Sequence, residues 1–439
     1  MNSSAIEIPY TKRTLANGLD VIVHEDRRVP IVAVNVWYHV GSKNERPGRT
    51  GFAHLFEHLM FEGSAHHNKG YFHPLQQAGA LLNGSTNTDR TNYWEVVPTS
   101  AVDRALWMES DRMGYLLPAV THERFETQRD VVLNERRQNY ENRPYGMALM
   151  AISAAMYPPD HPYAWMTIGS ADDIRAMQLE DVQTFFRTYY HTANASLVLA
   201  GDLDTERAFE LADQYFGELQ PGVKPPPVAC GEVSLAREQR LVLEDRVQVP
   251  RIYIAWHSPA MFAAGDAELD LVADLLANGK TSRLYRTLVY EQRVALDVSA
   301  HQHSREAGSF FLLVATAAPG QGLTGLLAQV DEALQRVREG GPTDGEMERA
   351  VAQAEAHFMY RLQTVGGFGG KSDQLNAYNM LRNDPGFFSV DLERYRRATP
   401  ESVRGASARY LHDRRIVLSV IPRGQSTLAL ADSESVLVS

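Results

Sequence analysis

"HEDRRVPIVAVNVWYHVG" occupies positions 24–41, and "LEDRVQVPRIYIAWHSPA" occupies positions 243–260. Both run Glu-Asp-Arg, then Val-Pro, then an alternating strand pattern that ends in Trp. Pro30 and Pro250 lie 220 positions apart, half of the 439-residue chain. A second pair repeats the spacing. "LEDVQTFFRTYYHTANASLVLAGD" (179–202) and "PESVRGASARYLHDRRIVLSVIPR" (400–423) align Val182 with Val403 and His191 with His412, at an offset of 221. Each reads as a helix, a turn with Tyr and His, then an apolar strand. Two matches in one order, at offsets that differ by a single residue, identify an internal duplication.

The seam lies between the two copies. "LQPGVKPPPVACGEVS" (219–234) holds four prolines and two glycines, which neither a helix nor a central strand accommodates. The expected division is an N-terminal domain over 1–222, a linker over 223–234 with its boundary near Val223 to Gly231, and a C-terminal domain over 235–439. The first half opens with the strand patterns "DVIVHED" and "PIVAVNVWYHVG", followed by the helical "FAHLFEHLMFEG" and the strand "TNYWEVVP". Helical patterns then cover 101–116, 123–142 and 171–190, and "SLVLAGDL" closes the half as a strand. The period moves from 2 to 3.6 and back. Strands early, helices in the middle and a strand at the end predict an α+β fold. Two homologous domains are expected, each a mainly antiparallel sheet packed with helices.

Composition narrows the function. Apolar residues make up 44% and charged residues 22%, as in a soluble globular protein. No apolar run reaches the ~20 residues of a membrane helix. The start, "MNSSAIEIPYTKRTLANG", lacks the apolar core of a signal peptide. The expected compartment is the cytoplasm, or the periplasm if a signal peptide was removed. The formal net charge is -11 with no basic stripe, which argues against nucleic acid as a ligand. The single cysteine, Cys230, excludes an intrachain disulfide and a Cys-based zinc site. Any metal falls to His and carboxylate.

"GFAHLFEHLMFEG" (51–63) places His54, Glu57 and His58 in an otherwise apolar run. On a helix, positions i and i+4 share a face, so the two imidazoles can bind one ion. Zinc then takes a third protein ligand and keeps a position open for water. It lowers that water's pKa toward ~7, and Glu57, beside the site, can take the proton. The order H-x-x-E-H inverts H-E-x-x-H and belongs to zinc peptidases. A third ligand must come from another element. In "ERFETQRDVVLNERRQNYENRP" (123–144), Glu135 follows the apolar Val131 and Val132 by one turn; the bland reading is a salt-bridged helix face, with Arg129, Arg136 and Arg137 near.

H-x-x-E-H followed after 76 residues by Glu135 resembles the M16 family of zinc peptidases. That family includes pitrilysin, insulin-degrading enzyme and the mitochondrial processing peptidases. "LNGSTNTDRTNYWEVVP" (82–98), "HPYAWMTIGSADDI" (161–174) and "GKTSRLYRTLVYE" (279–291) resemble further family segments, so the resemblance covers nearly the whole chain. It implies one zinc per chain, held by His54, His58 and Glu135, with Glu57 as general base. It implies an endopeptidase acting on peptides or unfolded segments, in which attack by zinc-bound water cleaves the bond. Substrate is expected as an added strand at a sheet edge near Asn83 to Thr88, with Asn83, Gly84, Ser85 and Thr86 as contact residues. Such addition reads backbone more than side chains.

The sequence departs from the family pattern in three places. Gln128 stands where many members carry a second glutamate seven residues before the ligand, which leaves it an orienting role without charge. Setting Gly279 against Gly63 puts Asp270, Ala273 and Asp274 opposite His54, Glu57 and His58, so the second half has no metal set. The family's substrate-polarising Arg/Tyr pair is incomplete: Arg305 is available, no tyrosine occurs between Tyr290 and Tyr360, and Phe310 and Phe311 stand there instead. The expected enzyme is the zinc-bearing subunit of a heterodimer with a homologous subunit that lacks zinc ligands and supplies the pair. A homodimer is the alternative. A non-catalytic subunit of the same fold and a zinc hydrolase of non-peptide substrates are the competing functions.

Other features carry less. "VGGFGGKSD" (365–373) lacks the P-loop's first glycine and follows a helical pattern, so it reads as a helix–helix turn. His301 and His303 share one strand face without a matching carboxylate, and His66 and His67 read as loop residues.

Overall fold

The computed structural model describes residues 6–436. The first half carries strands β1 (Thr11–Thr14), β2 (Asp20–Glu25), β3 (Ile31–Tyr38), β4 (Leu81–Thr86), β5 (Thr91–Pro98) and β6 (Ala195–Gly201). Its helices are α1 (Phe52–Leu59), α2 (Phe72–Gln77), α3 (Val102–Tyr115), α4 (His122–Arg136), α5 (Ala148–Met156), α6 (Ala171–Ala176), α7 (Leu179–Tyr189) and α8 (Thr205–Phe216). The second half carries β7 (Gln239–Asp245), β8 (Arg251–Ser258), β9 (Ala295–His303), β10 (Ser309–Ala317), β11 (Ile416–Pro422) and β12 (Glu434–Ser435). With them run α9 (Asp266–Ala277), α10 (Leu323–Gly340), α11 (Asp344–Arg361), α12 (Lys371–Arg382), α13 (Phe388–Arg396) and α14 (Pro400–Tyr410).

Each half builds one six-stranded sheet, in the orders β1-β2-β6-β3-β5-β4 and β12-β7-β11-β8-β10-β9. In the first, every neighbouring pair except β2–β6 is antiparallel. In the second, β11–β7 and β12–β7 are parallel and the rest antiparallel. The duplication extends to element length. β3 and β8 are both 8 residues, α7 and α14 both 11, and β6 and β11 both 7.

The chain forms two compact units. One holds the chain through Asn134, Trp165–Ala229 and Phe358–Val390. The other holds Glu135–Ala164, Cys230–His357 and the chain from Asp391 onward. Each unit therefore takes a helical segment from the other half of the sequence. In the second unit the borrowed α5 is almost wholly apolar, and its Ala148, Ala151, Ile152 and Met156 join the core formed with Tyr253, Ala255, Leu418 and Val420. In the first unit the borrowed α12 docks through polar groups. Asp373 accepts from Trp37 Nε1 at 2.9 Å and Asn92 Nδ2 at 3.1 Å, and Lys371 Nζ pairs with Asp26 at 2.8 Å. Buried polar groups tolerated in this way are satisfied by one another.

Several boundaries differ from the sequence pattern. The stretch 171–190 is two helices, because Ser170 caps α6 through Asp173 N and Met177 leaves the helical region before α7 begins. The pattern over 123–142 is α4 followed by a π-turn, Arg137–Glu141. The register of the second-half helix also shifts. Gly51 and Gly265 are both left-handed N-caps, with φ of 95° and 97°, a conformation that favours glycine. This aligns His54, Glu57 and His58 with Glu268, Leu271 and Val272, rather than with Asp270, Ala273 and Asp274. The 365–370 segment is indeed the turn between α11 and α12, and Gly366 sits so close to the sheet that a Cβ would lie 2.6 Å from Ala33 Cβ.

Candidate metal centre and its neighbouring sheet edge

α1 is only eight residues long, too short to hold itself in water. Packing fixes it instead. Phe52, Ala53, Leu55, Phe56 and Leu59 are buried, and Met60, just beyond, is fully buried. The Phe56 ring lies 5.7 Å from Phe185 and 5.1 Å from Tyr190. The opposite face, with His54, Glu57 and His58, is half-buried.

The N-terminus of α1 is capped from outside. Gly51 has no side chain to offer, and Glu45 supplies a carboxylate that accepts from Gly51 N at 3.0 Å and Ala53 N at 2.9 Å. Trp165 Nε1 donates to the same carboxylate at 3.1 Å and to Ser42 O at 3.0 Å. Burial pushes the Glu45 carboxyl up to about 8, against the pull of these donors. The sequence reading missed Glu45 and Trp165; the acidic residue six positions before the N-cap Gly51 was the one available signal.

His54, His58 and Glu135 come together. Each offers one ligand atom, these atoms all lie within 4.8 Å of one another, and all three residues are half-buried. Among the described residues no other group of three or more His, Cys, Asp or Glu does so. Glu135 stands on the last turn of α4, just before the π-turn, an irregularity often found at functional sites. Two imidazoles and a carboxylate, closely spaced and half-buried, are donor types that catalytic zinc sites use. Gln128, also on α4, donates through Nε2 to Glu62 Oε1 at 2.7 Å, which ties α4 to the residues that follow α1.

Among the described residues β4 is the last strand in its sheet and pairs only with β5. It carries Asn83, Gly84, Ser85 and Thr86, and it packs beside α1. A Cβ on Gly84 would lie 2.9 Å from both Phe61 and Tyr93 rings. Ser85 is held from behind: its Oγ donates to Asn92 Oδ1 at 2.7 Å, and Arg90 Nη1 donates to Ser85 O at 2.8 Å. Burial lowers the Arg90 guanidinium, and the carboxylates of Asp373, Glu57 and Asp89 oppose this. Arg90 is a further residue that the sequence reading passed over.

In the second unit, Phe310 and Phe311 are core residues, 3% and 0% exposed. The Arg305 guanidinium lies over the Tyr163 and Phe310 rings at 5.1 and 4.8 Å. His303 stacks on Phe310 at 4.4 Å, and burial holds it down at about 4. His66 Nδ1 lies 2.5 Å from Asp111 Oδ1. No helix among the described residues is long and apolar enough to cross a membrane.

Comparison with known proteins follows the same division. Residues 20–162 match the family model described as Insulinase (Peptidase family M16), and residues 176–354 match the model of the Peptidase M16 inactive domain. A zinc protease of Helicobacter pylori, PqqE, is 29% identical over 376 residues, covering 84% of this chain and 83% of the relative. The mitochondrial-processing peptidase subunit beta of Lentinula edodes is 25% identical, over 81% of this chain and 78% of its own. The crystal structure of a protease from Helicobacter pylori superposes with a TM-score of 0.87 at 26% identity, covering 94% of this chain and all of that one. The duplicated α+β units, the two matched models and these relatives together establish that the chain belongs to the M16 family of peptidases.

Proposed function

We propose that the chain is a zinc-dependent endopeptidase of peptides and unfolded segments, with His54, His58 and Glu135 as the ligands of one zinc ion and Glu57 as general base. The observation that carries the reading is the meeting of two histidines from one helical turn with a carboxylate from a second helix. When bound, zinc supplies a Lewis acid that polarises the peptide carbonyl and acidifies water. Glu57 takes one proton from the attacking water and delivers it to the nitrogen of the leaving amine. The carbon–nitrogen bond breaks as the carbon–oxygen bond forms, and one water is consumed.

β4 receives the substrate as an added strand, so affinity comes from its free backbone groups and sequence selectivity is broad. Asn83, Gly84, Ser85 and Thr86 form that contact, and Gln128 orients α4 through Glu62. The working enzyme is a heterodimer with a homologous subunit that lacks zinc ligands and supplies an Arg/Tyr pair, since Phe310 and Phe311 are committed to the core. A homodimer is the alternative assembly. The proposed compartment is the cytoplasm, with the periplasm as alternative. A second reading, a non-catalytic subunit, draws on the match of 176–354 to an inactive domain; the ligand set together with Glu57 favours catalysis.

The test is hydrolysis of an unstructured peptide by the purified chain, alone and with the homologous subunit. Cleavage that a chelator removes and zinc restores supports the reading; cleavage indifferent to chelation, or none in either preparation, contradicts it.

A further inference from the structure

The second unit contains a cavity of about 690 Å³ at the ends of β8 and α14. β3 and β8 are both eight residues long, and the 220-residue spacing of Pro30 and Pro250 sets Tyr38 against Ser258. Tyr38 pairs with Thr91, the first residue of β5, and Ser258 pairs with Ser309, the first residue of β10. In the first unit Tyr38 is fully buried, with its ring 5.0 Å from Tyr190. The offset of 221 between α7 and α14 puts Leu411 at the place of Tyr190. At the positions these offsets set against Tyr38 and Tyr190, the second unit carries Ser258 and Leu411, while the buried Trp256 on β8 donates to His412 O at 2.7 Å.

The lining is polar and carries more positive than negative charge. Ser258 lines the cavity, is 8% exposed, and its buried Oγ has no hydrogen-bond partner among the described residues. Buried hydroxyls are rarely left so. His161, also buried, accepts the Tyr163 amide proton on Nδ1 at 3.1 Å, so in its neutral form Nε2 carries the hydrogen and is a donor. Its ring stacks on Tyr157 at 4.6 Å, which makes a flat wall. Arg409 and Arg414 stand exposed at the mouth, against a single lining carboxylate, Glu232.

We propose that this cavity binds a small molecule bearing one oxyanion, a carboxylate or a phosphate. Arg409 and Arg414 draw the anion in, the Ser258 hydroxyl and His161 Nε2 donate at the buried end, and the Tyr157–His161 wall contacts the body of the ligand. The site uses none of the metal-centre residues, so its occupancy does not depend on zinc.

The experiment is a calorimetric titration of the metal-stripped full chain with inorganic phosphate and, separately, with N-acetyl-leucine, which carries a carboxylate on an apolar body. At least one probe binds saturably at one per chain, and which one binds distinguishes phosphate from carboxylate. The double variant Arg409→Ala/Arg414→Ala weakens that binding at least tenfold, and Ser258→Tyr, which replaces the buried hydroxymethyl with a ring, abolishes it. Should Ser258→Tyr fail to fold, the exposed arginine pair decides alone. The proposal is overturned if neither probe saturates, or if the double variant binds as tightly as the wild type.

Discussion

The imidazoles of His54 and His58 stand 4.9 Å apart, centroid to centroid, with their planes at 86°. One turn of α1 sets this spacing, so neither ring can be replaced from a neighbouring position. His54→Ala and His58→Ala are each expected to lose bound zinc, and Glu135→Ala to weaken it at least tenfold. Metal analysis after dialysis, with circular dichroism to verify the fold, checks this. Unchanged zinc content in the Glu135 variant removes it from the ligand set.

Glu45 holds the first turn of α1, and its loss acts on the ligands through the helix. Glu45→Ala removes an external cap worth ~0.5–2 kcal/mol, and zinc affinity falls with it. Glu45→Gln keeps one acceptor oxygen and recovers part of both losses. A thermal melt and a competitive zinc titration on the same preparations read the two effects, and a variant that melts lower while binding zinc normally refutes the coupling.

Gly84 is the point on β4 where a side chain does not fit. Gly84→Ala forces the Phe61 or Tyr93 ring to move, an overpacking cost of ~1–3 kcal/mol, and shifts the strand proposed to receive substrate. The expected result is a severalfold or greater rise in KM with zinc content unchanged. Wild-type KM would separate β4 from substrate binding.

Much of this architecture was legible in the sequence. The 220- and 221-residue offsets gave the duplication, and the matching element lengths follow from it. "TNYWEVVP" became β5 without adjustment, because β-branched and aromatic residues in alternation leave few alternatives. The exchange of α5 and α12 between units was not legible. It depends on which sheet each helix packs against, and neither helix's own pattern encodes that. Glu45 and Trp165 escaped for a related reason: a cap usually sits at the helix's own N-terminus, and here it arrives from six residues upstream and from 114 residues downstream of Gly51. The correspondence between α1 and α9 slipped by two positions because it was anchored on glycines after the helices, whereas the left-handed caps Gly51 and Gly265 precede them.

Asp270 makes the second unit sensitive to pH. Burial pushes its carboxyl up to about 7, Asp266 and Asp274 add to this, and Tyr395, which donates at 2.6 Å, and Arg394 oppose it. The folded state therefore binds a proton more tightly than the unfolded chain. The stability gained is fully present below the ordinary carboxyl value, ~4, and is lost as pH rises toward 7. The change is on the order of a few kcal/mol. Asp270→Asn flattens the dependence of the melting temperature between pH 5 and 8; an unchanged slope assigns it elsewhere.

The central claim is that Glu57 handles the proton while His54, His58 and Glu135 hold the metal. Glu57→Gln changes the carboxylate to an amide of the same shape, so the most direct measurement is zinc content and peptide turnover on that one variant, assayed in whichever assembly is active as wild type. The Glu57→Gln variant is expected to hold one zinc per chain and to lose at least a hundredfold in kcat, with KM little changed. Near wild-type turnover with zinc in place would contradict it.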